Sequence, residues 1–227
     1  MDFSIKKAVS YHHQAHDYLR EKIIRGEFLP GERIYEAKIA RTLEISRSPV
    51  REAVRSLEQE GLLVIDEKSR IFVYEPTIKD VEDIYQCRQA LESVAAVLAT
   101  RLASDQTLEY ISDLLQNTKE VFNKGKEYSI EQVVELNSKY HDLIIEASQN
   151  MRLKRQLNDL RSLTFFYRSM NVENSKRCLE ILEQHEEIIH FMKARDVDRA
   201  AAAMSNHIAQ DLNYLKEILI RDKTENN

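Results

Sequence analysis

The sequence is poor in the residues that bridge, break or anchor a chain. Its 227 residues include only two cysteines, three prolines and four glycines. Cys87 and Cys178 lie far apart, and two distant thiols suggest reduced, buried side chains rather than a disulfide framework. No run of about 18 apolar residues occurs, which excludes a membrane-spanning helix. The leading MDFSIKKAV has no apolar core of the kind a secretory leader needs, so the expected location is cytoplasmic. Phosphate-binding glycine loops, the nucleophile elbow and the zinc-protease helix are also missing. HEEIIH at 185–190 only looks like the last of these. Its histidines are five apart rather than four and diverge by about 140° on an ideal helix, so they do not share an ion. The chain is therefore not expected to be an enzyme.

Hydrophobic residues make up 43% of the chain and charged residues 31%, the mix of a folded protein. The net charge of −5 taken alone opposes nucleic-acid binding. That average hides an asymmetry: residues 1–75 carry 13 Lys/Arg and 13 Asp/Glu, and the remainder 20 and 25. A neutral front segment binds DNA when its basic groups gather on one face. Punctuation changes at the same place, since after Pro76 only Gly125 remains to break a helix. We place the domain boundary there, with residues 1–76 as one unit and 77–227 as a second. The length suits two units.

The front unit reads helix, turn, helix, turn, helix, hairpin. A first helix from about His12 to Arg25 turns Ala15, Tyr18, Leu19 and Ile23 inward. Gly26–Ile34 forms a turn and an extended approach, and Glu36–Leu43 a short second helix. Ser46 is placed to cap a third helix whose apolar face is Val50, Ala53, Val54 and Leu57, ending at Gly61. Leu62–Ile65 and Arg70–Glu75 read as strands of a hairpin. Two short helices around a tight turn make a helix-turn-helix. Its second helix would present Ser46, Arg47, Ser48 and Arg51 at the end that enters a major groove. Arg47 and Arg51 share a face, and an arginine fork reads guanine or grips phosphate. Lys68 and Arg70 sit where the hairpin could reach the DNA backbone.

ISRSPVREAVRSLEQEGLL strongly resembles the recognition segment of GntR-type winged-helix repressors, and LREKIIRGEFLPGERI resembles their first helix and turn. The resemblance implies operator contacts at Ser46, Arg47, Ser48 and Arg51. Many relatives carry an arginine where this chain has Ala37, with Lys38 as a substitute, and a glycine in the wing tip where it reads EKSRIFV. One short helix reads only a few base pairs, so a homodimer on an inverted-repeat duplex operator is expected.

The rear unit is expected to be helical throughout, with segments at Lys79–Thr100, Ser104–Asn123, Ser129–Ala147, Asn150–Met170, Cys178–Ala194 and Val197–Arg221. Asp80, Ser104, Asp105 and Ser129 are candidate caps. The whole fold is thus mainly α: a winged helix-turn-helix followed by an all-α, six-helix antiparallel bundle. Asn137 and His141 share a helical face. His185 and His207 lie about ten residues either side of the turn between the last two helices, which puts them at one height. Three imidazoles and an amide oxygen can then converge on one divalent ion. Arg88, on an otherwise apolar stretch, is costly unless paired.

YQCRQALESVAAVLA, NSKYHDLIIEASQN and EQHEEIIHFMKARDVDRAAAAMSNHI resemble the FCD ligand-binding domain of one GntR subfamily. That resemblance implies a metal, often zinc or nickel and with manganese also considered, held at positions matching Asn137, His141, His185 and His207. Asn137 stands where the family's acidic ligand is usual, and an amide brings no charge. The resemblance also implies a small carboxylic acid effector bound by Arg88 together with the metal, with Tyr140, Arg161, Phe165 and Tyr167 as pocket walls. Six helices resemble the shorter, VanR-like branch. The competing expectations are a metal-free effector pocket, a purely architectural DNA binder and a histidine-dependent metalloenzyme.

Overall fold

A computed structural model describes residues 10–123, 130–172 and 175–225. The chain divides between Glu75 and Pro76 into two compact units.

The first unit contains α1 (Tyr11–Ile24), β1 (Arg33–Ile34), α2 (Glu36–Thr42), α3 (Arg47–Gln59), β2 (Leu63–Ile65) and β3 (Ile71–Val73). Ser10 caps α1 by accepting from the His13 amide. Ala15, Leu19 and Ile23 of α1 meet Val50, Ala53, Val54 and Leu57 of α3, all with almost no exposure. Each large aliphatic side chain buried in this way contributes roughly 1.5–3 kcal/mol. The extended approach after the first helix becomes a third strand, and the antiparallel sheet runs β1-β3-β2. Arg33 pairs with Phe72, and Val64 pairs with Phe72 from the other side. The wing tip is closed by Asp66, whose carboxylate accepts from the amides of Lys68 and Arg70. Ser69 takes φ +56° there, the left-handed conformation that glycine adopts without strain.

The second unit contains α4 (Ile78–Leu102), α5 (Asp105–Asn123), α6 (Ile130–Ala147), α7 (Met151–Asp159), α8 (Arg161–Val172), α9 (Ser175–Lys193) and α10 (Val197–Glu225). α10 packs along α4 and α9, α5 packs on α6 and α9, and α4 also meets α6. There are thus seven helices among the described residues, not six. The expected Asn150–Met170 helix breaks at Leu160, whose amide bonds to Leu157 one residue short of the helical partner. Asn158 and Asp159 before it compete for backbone bonds and favour helix ends. Helix number therefore no longer argues for the shorter branch. Thr77, not Asp80, caps α4, while Ser104 caps α5 as expected. The Ser129 cap falls outside the described residues. Both cysteines are free, and Cys87 is exposed, contrary to expectation, while Cys178 is buried. Among the described residues, no helix is long and apolar enough to cross a membrane.

Candidate functional site

The first unit carries an open cleft of about 580 Å³ whose lining includes Arg33, Arg47, Arg51, Arg55 and Arg70 against one acid, Glu36. Five guanidinium groups on one face explain how a segment of zero net charge can dock on a polyanion. Arg47 opens α3, and that helix has no acidic residue in its first turn, so the dipole and the unbonded N–H groups face a phosphate without competition. Ser46 holds the capping position in extended backbone, yet its side chain makes no capping bond. Ser46 and Ser48 are exposed, so both hydroxyls are accessible to a duplex. Arg51 is 58% exposed and 3.5 Å from Glu36.

Two placements differ in kind from the expectation. Arg70 donates to Asp66 through both Nε and Nη2, at 2.7 and 2.6 Å, so its charge is partly spent inside the wing. Its guanidinium in turn holds the Asp66 carboxyl below the usual carboxylate range. Lys38 is exposed on α2 and does not line the cleft. The positive charge beside Ala37 comes instead from Arg33 of β1, which sits 4.8 Å over the Tyr35 ring. Sequence reasoning passed over Arg33 and Arg55. Arg55 was findable, four residues after Arg51 and eight after Arg47; Arg33, in a two-residue strand, carries no periodic signal. Replacing Arg33 by alanine should weaken specific and non-specific duplexes by the same factor and lower the slope of log K against log salt by about 1. Anisotropy titrations at several salt concentrations check this, and an unchanged slope would remove Arg33 from the interface.

In the second unit, α6, α9 and α10 bring His141, His185 and His207 together, each at most 1% exposed. Nε2 of His207 lies 3.2 Å from Nε2 of His185 and 3.4 Å from Nε2 of His141. Two nitrogens bound to one tetrahedral zinc ion lie about 3.3 Å apart. The other nitrogens of two of the rings are committed. Nδ1 of His141 meets the Glu92 carboxylate at 2.6 Å, and Nδ1 of His207 meets the Gln184 amide oxygen at 2.7 Å. Both partners are acceptors, so each Nδ1 carries the proton and each Nε2 turns a lone pair toward the other. A cation between them resolves that conflict. Burial, with the neighbouring positive groups, depresses all three imidazoles, His207 to about 3 and His185 well below its ordinary value. They are neutral, the state a metal requires.

His185 is oriented by Tyr140. That ring stacks on the imidazole at 4.1 Å, and its hydroxyl donates to the His185 carbonyl at 2.9 Å. The amide oxygen of Asn137 is buried and has no hydrogen-bond partner, which suits an oxygen ligand to a cation. Asn137 and His185 line a cavity of about 10 Å³, room for one water.

Arg88 is fully buried, and its Nε donates to the other oxygen of Glu92 at 2.8 Å. Burial favours the uncharged form of Glu92, but Arg88 and His141 outweigh it and hold the carboxyl well below its usual range. Asp211, 3.8 Å from His207 Nε2, accepts from Arg177 at 2.7 Å. Negative charge therefore already stands behind the histidines, although Asn137 supplies none. Arg161 is not in this interior: it is 59% exposed and paired with Asp142 at 2.7 Å. Arg168, two turns further along α8, is the buried one. Phe165 is half-buried, while Tyr167, expected with it, is fully buried with its ring 6.0 Å from that of Tyr85.

A family model described as "Bacterial regulatory proteins, gntR family" matches residues 12–73, and one described as "FCD domain" matches residues 83–210. The chain is 33% identical over 222 residues to the uncharacterized HTH-type transcriptional regulator YdhC of Bacillus subtilis (strain 168), covering 98% of each. It is 30% identical over 198 residues to the Nta operon transcriptional regulator of Aminobacter aminovorans, covering 87% of this chain and 91% of that one. Among solved structures, E. coli McbR/YncC shares its fold with a TM-score of 0.76 at 23% identity, over 93% of this chain and 100% of that one.

Proposed function

The chain belongs to the GntR family of bacterial regulatory proteins, with an FCD domain behind its DNA-binding unit, and on that premise we propose that it is a homodimeric repressor released or tightened on its operator by a small carboxylate. The observation that carries the effector half of this reading is the trio of converging imidazoles, two of them with tautomers fixed by Glu92 and Gln184. His141, His185 and His207 would hold one divalent ion, with the Asn137 oxygen as a weak fourth ligand. When bound, such an ion offers an open position to a carboxylate. Glu92 orients His141, Gln184 orients His207 and Tyr140 orients His185, while Arg88 supplies a second point of attachment.

The DNA half rests on the cleft. A 13-residue recognition helix reads only a few base pairs, which favours two copies across a twofold site. Selection from a random duplex pool should yield an inverted repeat. On that operator Arg51→Ala should cost about 1–3 kcal/mol if it reads a base. A pool that fails to converge, or equal binding by the Arg47→Ala and Arg51→Ala proteins, would refute the assignment.

A further inference from the structure

We infer that the effector is a short dicarboxylate, and that Arg88, Arg168 and Asn171 form a second subsite that takes its far carboxylate. This rests on the reading above, in which a carboxylate binds beside the histidines. Arg88 lies on α4, and Arg168 and Asn171 lie one turn apart on α8. They are 0%, 6% and 0% exposed. Arg88 gives only Nε to Glu92, and both of its terminal nitrogens have no partner. The same holds for Nε of Arg168 and for the amide oxygen of Asn171. Tyr85 joins the two helices here: its ring lies 4.6 Å under the Arg88 guanidinium and its hydroxyl 3.5 Å from the Asn171 amide nitrogen.

Buried donors without acceptors are rare, because each forfeits its bond to water. Here the deficit is also one of charge. Among the described residues of this interior, Arg88, Arg168 and Arg177 face Glu92 and Asp211. Glu92 is committed to Arg88 and His141, and Asp211 to Arg177. Arg168 is left with no anion of its own, and burial together with Arg88 lowers its guanidinium to about 10. An incoming carboxylate would satisfy the guanidinium donors, and a hydroxyl beside it would satisfy Asn171. Glu92 touches Arg88 with one oxygen and His141 with the other, so the histidines and the subsite lie on either side of a single carboxylate. A diacid with one carboxylate at the histidines and one at the guanidinium groups would meet both. The cavity beside the histidines holds about one water, so such a ligand enters by parting the helices, which gives the conformational change a regulator requires.

The test is calorimetric titration of the zinc-loaded full chain with acetate, lactate, succinate and malate. The diacids should bind about tenfold or more tighter than the monoacids, with malate ahead of succinate. Arg168→Met should bring the diacids down to the level of acetate. If that variant does not fold, Asn171→Asp, which places a carboxylate in the subsite, should do the same and raise the melting temperature of the ligand-free protein. Equal binding of mono- and diacids, or a diacid preference that survives either substitution, overturns the subsite. If acetate binds in a His207-dependent way without any diacid preference, the subsite fails and the carboxylate reading stands. If no carboxylate binds, both fail.

Discussion

Replacing Glu92 by glutamine should destabilise the second unit by about 3–5 kcal/mol, the usual cost of removing one partner from a buried ion pair. The residue is 3% exposed, with one oxygen on Arg88 and the other on His141. Glutamine removes the charge that makes the buried Arg88 tolerable. Its amide also has one acceptor where two are needed. If its NH2 turns to Arg88, two donors collide. If it turns to His141, the imidazole must shift its proton to Nε2, taking that lone pair away from His185 and His207. The same substitution should therefore lower both stability and metal affinity. A melt followed by helical circular dichroism should show a fall of roughly 10 °C. An unchanged melt with unchanged zinc uptake would show that Glu92 organises neither Arg88 nor His141.

The second large effect belongs to His207. Its Nε2 is the nitrogen that lies near both of the others, so it is the centre of the trio. Wild-type protein purified without a histidine tag should take up about one equivalent of zinc. At zinc concentrations near a thousand times the dissociation constant, the folded state gains about 4 kcal/mol. His207→Ala should lose both the uptake and the added stability. Elemental analysis and paired melts with and without zinc measure them. Undiminished uptake in His207→Ala would place the ion elsewhere.

Much of this arrangement was legible in the residues, for identifiable reasons. Helix periodicity set Val50, Ala53, Val54 and Leu57 on one face. The distance of His185 and His207 from their shared turn put them at one height. What periodicity gives is a face, not a depth. Arg161 and Arg168 are seven residues apart and share a face of α8, but Arg161 opens the helix and reaches solvent, while Arg168 lies two turns inside. The break at Leu160 involves neither proline nor glycine, and the only local signal was the weaker one of Asn158 and Asp159. Glu92, four residues after Arg88, was hidden among the ordinary i, i+4 charge pairs of exposed helices. Gln184 acts on His207 from another helix, and no spacing along the chain points to it; Asp211, four residues after His207 on α10, was open to the same i, i+4 reading as Glu92. In the first unit, the recognition helix could be read from its motif, whereas Arg33 joined the cleft only through a sheet whose third strand is two residues long.

The central claim is that a carboxylate in the bundle changes how the winged helix holds its operator, which requires two states with different affinities for DNA. The most direct measurement is an anisotropy titration of the selected operator with zinc-loaded full-length protein, with and without a saturating carboxylate already shown by calorimetry to bind. A change in operator affinity of about fivefold or more is expected, and it should vanish in His207→Ala. Superimposable isotherms with the carboxylate bound would contradict the coupling between bundle and winged helix.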